Sequence, residues 1–585
     1  MIRNLRQINI TLFIIVASVL TLAMVDSHAF CYPSLSQSLL PNLLISFLGI
    51  LASYFMIKRK LRLNGLCYLF LIWLGYIYSF SFFVPAEQYR QVYLSCSLIF
   101  GISMTCFLRQ NLIKWSWLEH VSIALAILQV VYVLLQALHL VKSGSLFFAL
   151  TGVGESPSTV AIYLACCLPL LVNMIRKKKG LDRLLYVLFL LIVLFVIILL
   201  KCRTAYVGCL ISFLVFICAT LKKQKNQRYL KTNVIICCLL MCALFLGGFI
   251  LYKMKAKSAD GRILIWKITT NMIMDAPNGY GYGMFERNYN LKQATYFQEC
   301  TRNEKEIMLA DHVFVPYNDL LEQSVEGGLV GGVLYLSIYF GMIWMAYRKK
   351  EMETLSFGSS ALGMSMINYF YTYPVVWLML MCYFAKISAK VNDSNLQHNA
   401  ATGRKNRFVI PVLVALISLT LLTLDFRQIN AQYHLKKYSD LLSKHVVIDE
   451  NAFLALGDGG STSELYYTTF AKNYLLQAKY VDAISCLEKA KLYTSDPMVY
   501  LTLATSYAKI GRNQAALENV RLARNIVPHH FLPELLLLRI YDHIGNRKEA
   551  LQQAHLIMGK SIKVYSDNVQ RIKKEANRYI QAYEK

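Results

Sequence analysis

Apolar runs recur through the first 424 residues and govern everything this chain can fold into. They are Ile8–Val25, Leu39–Ile57, Leu66–Val84, Val92–Leu108, Leu118–Val141, Thr159–Ile175, Leu184–Leu200, Thr204–Leu221, Asn233–Tyr252, Gly328–Tyr347, Ser359–Tyr371, Val375–Ile387 and Phe408–Leu424. A run of about 18 or more residues nearly free of charge reads as a transmembrane helix. Inside the bilayer such a segment must satisfy its own backbone groups, because no water is there to do it. The expectation is an all-α chain: a polytopic transmembrane helical bundle of about thirteen spans. Met1-Ile2-Arg3-Asn4-Leu5-Arg6 precedes the first run and Ser27-His28-Ala29 follows it, which is the layout of a secretory signal. The run is long for one and further runs follow, so an uncleaved first span is expected.

Charge gives the orientation. The chain holds 61 basic and 34 acidic residues among 585. In a soluble protein that excess would suggest nucleic acid. Here the basic residues sit in alternate short loops, as Lys58-Arg59-Lys60, Arg109 with Lys114, Arg176-Lys177-Lys178-Lys179, Lys222-Lys223, Arg348-Lys349-Lys350 and Arg404-Lys405. Positive charge marks cytoplasmic loops, so topology accounts for the excess and no nucleic-acid partner is expected. Counted from a cytoplasmic N-terminus, Arg203, Tyr371–Tyr373, the interval 253–326 and everything after Leu424 fall outside. Most of the 15 cysteines lie within apolar runs and behave there as small apolar residues. No cysteine or histidine spacing resembles a metal site. Cys31 and Cys300 both fall in loops placed outside, which leaves a disulfide between them open.

Four sections follow: N-terminal transmembrane helices at 1–60, a membrane domain at 60–390 with external loop 253–326, a basic linker and last span at 391–425, and a soluble section at 426–585. In the last, Tyr474, Tyr507 and Tyr541 recur at intervals of 33 and 34 residues. Ala483, Ala516 and Ala550 keep the same step, and Gly511 and Gly545 repeat at 34. This resembles tetratricopeptide repeats, an α-solenoid of paired helices, with repeats at about 464–496, 497–530 and 531–564 and a capping helix to Lys585. Such modules bind peptides or proteins, or brace what they are attached to.

The interval Tyr252 to Glu326 is too long for a passive connection between spans, and Trp266, Phe285, Tyr289, Tyr296, Phe297 and Phe314 argue against disorder. Arg203 occupies a very short turn between two spans, where a basic residue ordinarily snorkels as an anchor. Arg262 opens the long interval, four residues before Trp266. Two guanidinium forks at the headgroup level suit a pyrophosphate. Pro316 is placed to start a helix, from which Asn318, Glu322 and Glu326 share one face. Gly327-Gly328 and Gly331-Gly332 permit close helix approach.

Taken together, Arg203-Thr204, Gly261-Arg262 with Trp266, Asp275-Ala276-Pro277-Asn278-Gly279-Tyr280-Gly281, and Asn318 with Gly328 and Gly331 carry a resemblance. In order and spacing they look like the O-antigen ligase and polymerase superfamily over roughly residues 60–390. The resemblance implies a glycosyltransferase of the inner (plasma) membrane that acts on the periplasmic side without metal or other cofactor. The donor it implies is a glycan on undecaprenyl pyrophosphate. The acceptor is the lipid A core, a growing glycan or a protein side chain, for ligase, polymerase and protein O-oligosaccharyltransferase respectively. Arg203 and Arg262 would hold the leaving pyrophosphate, while Trp266, Gly279, Gly281, Gly328 and Gly331 are structural.

The family usually has a histidine immediately before the Asn, as general base. Here Tyr317 stands there, and a phenol that ordinarily titrates near about 10 is a poor base at neutral pH. His312 can substitute if the segment before Pro316 is a loop; Glu322 is another substitute, and Tyr317 can orient the acceptor. Rival readings are a transporter of the lipid-linked glycan and a membrane scaffold for the repeats. Spans poor in polar residues argue against the first, and their number argues against the second.

Overall fold

The computed structural model describes residues 2–26, 30–31, 35–59, 61, 63, 65–145, 147–154, 156–223, 256–299, 304–390, 408–457 and 463–583. The described residues are helical throughout, joined by turns and loops. Among the described residues seven helices are long and apolar enough to cross a membrane: Ser36–Lys58, Gln88–Arg109, Trp115–Ala137, Pro157–Lys177, Gly180–Leu199, Gly328–Arg348 and Val409–Ser443. Four shorter apolar helices, Gln7–Leu22, Gly65–Ser81, Arg203–Cys218 and Pro374–Ala389, join them. The expected span Asn233–Tyr252 and Cys300 lie outside the described residues.

Burial sorts the helices into layers. Gln88–Arg109 and Pro374–Ala389 form the centre, where almost every side chain from Val92 to Phe107 and from Pro374 to Ser388 is enclosed. Gly180–Leu199 lies at the periphery, with Leu184, Leu188, Leu191, Phe195 and Ile198 exposed. A face that apolar would be an aggregation liability in water; against lipid it is at home.

One expected run is cut short. Ser359–Tyr371 reads as a span, but helix Met352–Ser365 ends first and residues 366–373 leave the helix. Pro374 disfavours helical geometry in the residue before it. The freed amides of Phe370 and Tyr371 then donate to the two carboxylate oxygens of Asp319, at 2.9 and 3.0 Å.

The polar interval is itself folded. Helices Ala256–Asp275, Phe285–Glu299, Glu304–Leu309 and Asp319–Glu326 close over Leu264, Ile268, Met272, Phe285, Tyr289 and Val325. The turn Pro277–Gly283 plugs it into the bundle. Gly281 sits at φ +106°, and a Cβ there would stand 1.9 Å from the Pro85 carbonyl oxygen, so only glycine fits. Tyr280 and Gly281 donate to the carbonyls of Val325 and Glu326, while the Tyr282 hydroxyl accepts from Trp73 at 3.1 Å.

Helix Val409–Ser443 has 35 residues, about 52 Å at 1.5 Å per residue. It outruns an apolar core about 30 Å thick and continues into the soluble section, so the expected boundary at 425/426 falls within one unbroken helix. Beyond it, each 34-residue period forms a helical hairpin: Ser463–Leu476 with Tyr480–Ala490, Pro497–Lys509 with Asn513–Ile526, and Leu532–Ile544 with Arg547–Gly559. Ala483, Ala516 and Ala550 are fully buried in the second helices. Gly511 and Gly545 take positive φ where the first helices end. These hairpins lie against the polar interval, where Leu291 and Ala294 pack with Tyr500, Leu501 and Ala504.

Candidate active site

The loops at one end of the bundle converge with the polar interval. Helix Arg203–Lys223 begins at Arg203 itself, whose guanidinium donates to the Ser258 hydroxyl at 3.1 Å. One turn further along helix Ala256–Asp275, Arg262 donates to the Ile367 carbonyl at 2.8 Å and lies over the Tyr317 ring, 4.6 Å from its centre. Thr204 accepts from Asn368 in the same loop. Burial, and then the like charge of Arg203, hold the Arg262 guanidinium below its ordinary value. Among the described residues neither arginine makes an ion pair with a carboxylate. Two neighbouring cations without a counter-charge make a site for an anion.

The segment 310–318 forms a loop before the helix Asp319–Glu326. Trp266 donates its indole N–H to the Pro316 carbonyl at 2.8 Å. Tyr317 takes φ +55°, a left-handed conformation that is costly for a bulky residue. It is held there by Arg262 on one side and Tyr369, 5.3 Å away edge to face, on another. Asn318 caps helix Asp319–Glu326, accepting from the Leu321 amide at 3.2 Å.

Glu322 and Glu326, one turn apart, are buried. Glu322 receives Arg90 at 2.8 Å and the Tyr371 hydroxyl at 2.7 Å, and Arg90 also lies 4.9 Å above the Tyr371 ring. Burial pushes the Glu326 carboxyl up to about 8. This pair of carboxyl groups is the buried anchor of the helix. Tyr76 reaches the Gly327 carbonyl at 2.7 Å, and Gly279 and Gly328 meet backbone to backbone. Gly331 lies next to the Tyr282 hydroxyl.

His312 lies in the loop and lines a cavity of about 210 Å³ with Gly261, Ile265, Phe314 and Tyr317. Its Nε2 is 2.5 Å from Glu286 Oε1. A histidine held by a carboxylate is an oriented proton acceptor. Glu286 also accepts from the Ser495 hydroxyl, at 2.8 Å, in the repeats.

Four side chains escape a sequence reading. Arg90 carries a usable signal, since it is a basic residue in a loop that alternation places on the same side as Arg203. Asn290 grips Val313 through both its amide and carbonyl, and Gln293 donates to the Asp311 and Ile526 carbonyls at 2.9 and 2.7 Å. With Glu286 they make one stripe on helix Phe285–Glu299, and nothing in that polar helix singles them out beforehand.

A search among curated proteins gives no match to this chain. Residues 188–336, which run from the span before Arg203 through the polar interval to the glycine pairs, match the family model described as O-Antigen ligase. Residues 188–336 thus resemble the O-antigen ligase family, within a chain whose helices include several long and apolar enough to cross a membrane.

Proposed function

We propose that this chain transfers a glycan from undecaprenyl pyrophosphate to an acceptor hydroxyl at the periplasmic face of the inner membrane, its N-terminus cytoplasmic and its repeats periplasmic. The observation that carries this is the pair Arg203 and Arg262, adjacent and uncompensated by any described carboxylate. The acceptor oxygen attacks the anomeric carbon, the bond from that carbon to the pyrophosphate oxygen breaks, and the pyrophosphate leaves with the electron pair. The two guanidinium groups take up the charge that develops there. The acceptor proton passes to His312, which Glu286 orients. Tyr317, beneath Arg262, positions both partners, and the chemistry needs no metal.

Because His312 and Glu286 border Ser495 of the repeats, a protein side chain is the favoured acceptor, and the repeats are the surface that delivers it. The test is a deletion strain complemented with wild type, Arg203→Ala, Arg262→Ala or His312→Gln. Its lipopolysaccharide, glycoproteins and carrier-linked glycan are compared. Loss of glycoprotein glycan with accumulation on the carrier is expected, with both arginine variants reduced on the order of 100-fold or more. Unchanged transfer in both arginine variants overturns the leaving-group assignment. Loss confined to lipopolysaccharide makes the acceptor the lipid A core, and single-repeat glycans make the protein a polymerase.

A further inference from the structure

The loop that carries His312 and Tyr317 meets the turn between the second and third helical hairpins. There Asp311, His529 and His530 bring one ligand atom each within 4.8 Å of one another. Several contacts fix this junction. Gln293 ties the Asp311 carbonyl to that of Ile526, just before the turn. The His530 amide closes the turn on Val527, and the two histidine rings stand edge to face at 4.7 Å. Lys563 approaches Asp311 Oδ2 at 3.4 Å and the Ala310 carbonyl at 3.5 Å.

His529 is the informative member. It is nine-tenths buried, yet among the described residues its Nδ1 has no hydrogen-bond partner. The Ala310 carbonyl lies beside the ring, and the bare Nδ1 is left at the junction. A buried polar atom left this way is costly. A buried imidazole nitrogen left bare is a ready metal ligand.

We propose that Asp311, His529 and His530 form a site for a divalent transition cation of the zinc type, which joins the helical hairpins to the loop of the active site. Imidazole ligands favour such a cation over magnesium or calcium. Three protein ligands leave a further position for water. Zinc–nitrogen bonds of about 2.0–2.1 Å place tetrahedral ligand atoms about 3.3 Å apart. Asp311 and His530, both exposed, are free to close that last distance around buried His529. The cation sits one residue from His312 in sequence and has no part in bond breaking. It restrains the loop, so that docking of the hairpins and placement of His312 become one event.

The experiment is zinc titration by calorimetry of the purified full chain in detergent, without a polyhistidine tag and after treatment with chelator. One saturable zinc per chain is expected, undisturbed by a thousandfold excess of magnesium. Asp311→Asn, His529→Gln and His530→Ala should each weaken it at least tenfold with an unchanged circular dichroism spectrum. Should His529→Gln fail to fold, the two variants at exposed positions decide the matter. Lys563→Ala should bind at least as tightly, since its ammonium competes for Asp311. Absence of saturable binding, displacement by magnesium, or wild-type affinity in Asp311→Asn and His530→Ala overturns the proposal. None of these readouts depends on glycan transfer, so failure here leaves the arginine site untouched.

Discussion

Arg90→Met is the most revealing perturbation of the scaffold. In the wild type Arg90 answers Glu322, a side chain with no exposure, across 2.8 Å. The Tyr371 hydroxyl donates to the same Oε1 oxygen, and Glu326, pushed up to about 8, is largely protonated near neutrality. Removing the guanidinium leaves Glu322 a choice between an uncompensated buried charge and taking up a proton. Protonation is the cheaper and sets a ceiling: about 4 kcal/mol at pH 7 and about 1 kcal/mol at pH 5, for a carboxyl that ordinarily titrates near about 4.3. The ceiling lies within the range of about 3–5 kcal/mol found on breaking buried pairs.

The sign follows from linkage. Burial already holds the Glu322 carboxyl above its ordinary value against the pull of Arg90, and without that guanidinium its folded-state pKa rises further, so stability is present below the unfolded value and is lost as pH rises. The deficit against wild type should therefore shrink on acidification from pH 7 to pH 5. Thermal unfolding of the solubilised chain, followed by tryptophan fluorescence, should show a drop on the order of 5–10 °C at pH 7, most of it recovered at pH 5. Adding Glu322→Gln, which keeps a partner for Tyr371 without the charge, should restore stability at pH 7. A deficit equal at both pH values, or no rescue by Glu322→Gln, would refute the reasoning.

Other consequences follow from single contacts. Trp266→Phe keeps the ring but loses the 2.8 Å bond to the Pro316 carbonyl, worth about 1 kcal/mol. With Tyr317 less firmly placed, transfer should fall roughly fivefold through KM rather than kcat. Gly281→Ala meets both a left-handed φ and the Pro85 carbonyl. It should abolish the folded peak in fluorescence-detected size-exclusion chromatography, whereas Gly65→Ala, with open space around it, should not.

Periodicity and charge made a good part of this protein legible. Long apolar runs permit only helices in a bilayer, and a step of 33 to 34 residues permits only a repeated unit. Where the apolar pattern was interrupted by backbone demands it misled: Ser359–Tyr371 is apolar enough for a span, but Pro374 and the Asp319 carboxylate end the helix early. Residues of the candidate site stood out as types. Arg203, Arg262, Trp266 and His312 were all marked, because a guanidinium or imidazole at the edge of an apolar scaffold requires a reason.

Their company was not legible. Glu322 and Asn318 share a helix face, yet one is a buried ion-pair partner and the other a cap, and only packing against Arg90 and the loop 366–373 separates those roles. Glu286, Asn290 and Gln293 acquire meaning only when helix Phe285–Glu299 lies between the loop 310–318 and the hairpins. His529 and His530 stand more than two hundred residues from Asp311. Sequence sets which backbone conformations and solvents each segment tolerates, since those are local properties. Which charges meet, and which carboxylate loses its water, depends on long-range contacts that exist only once the chain has folded.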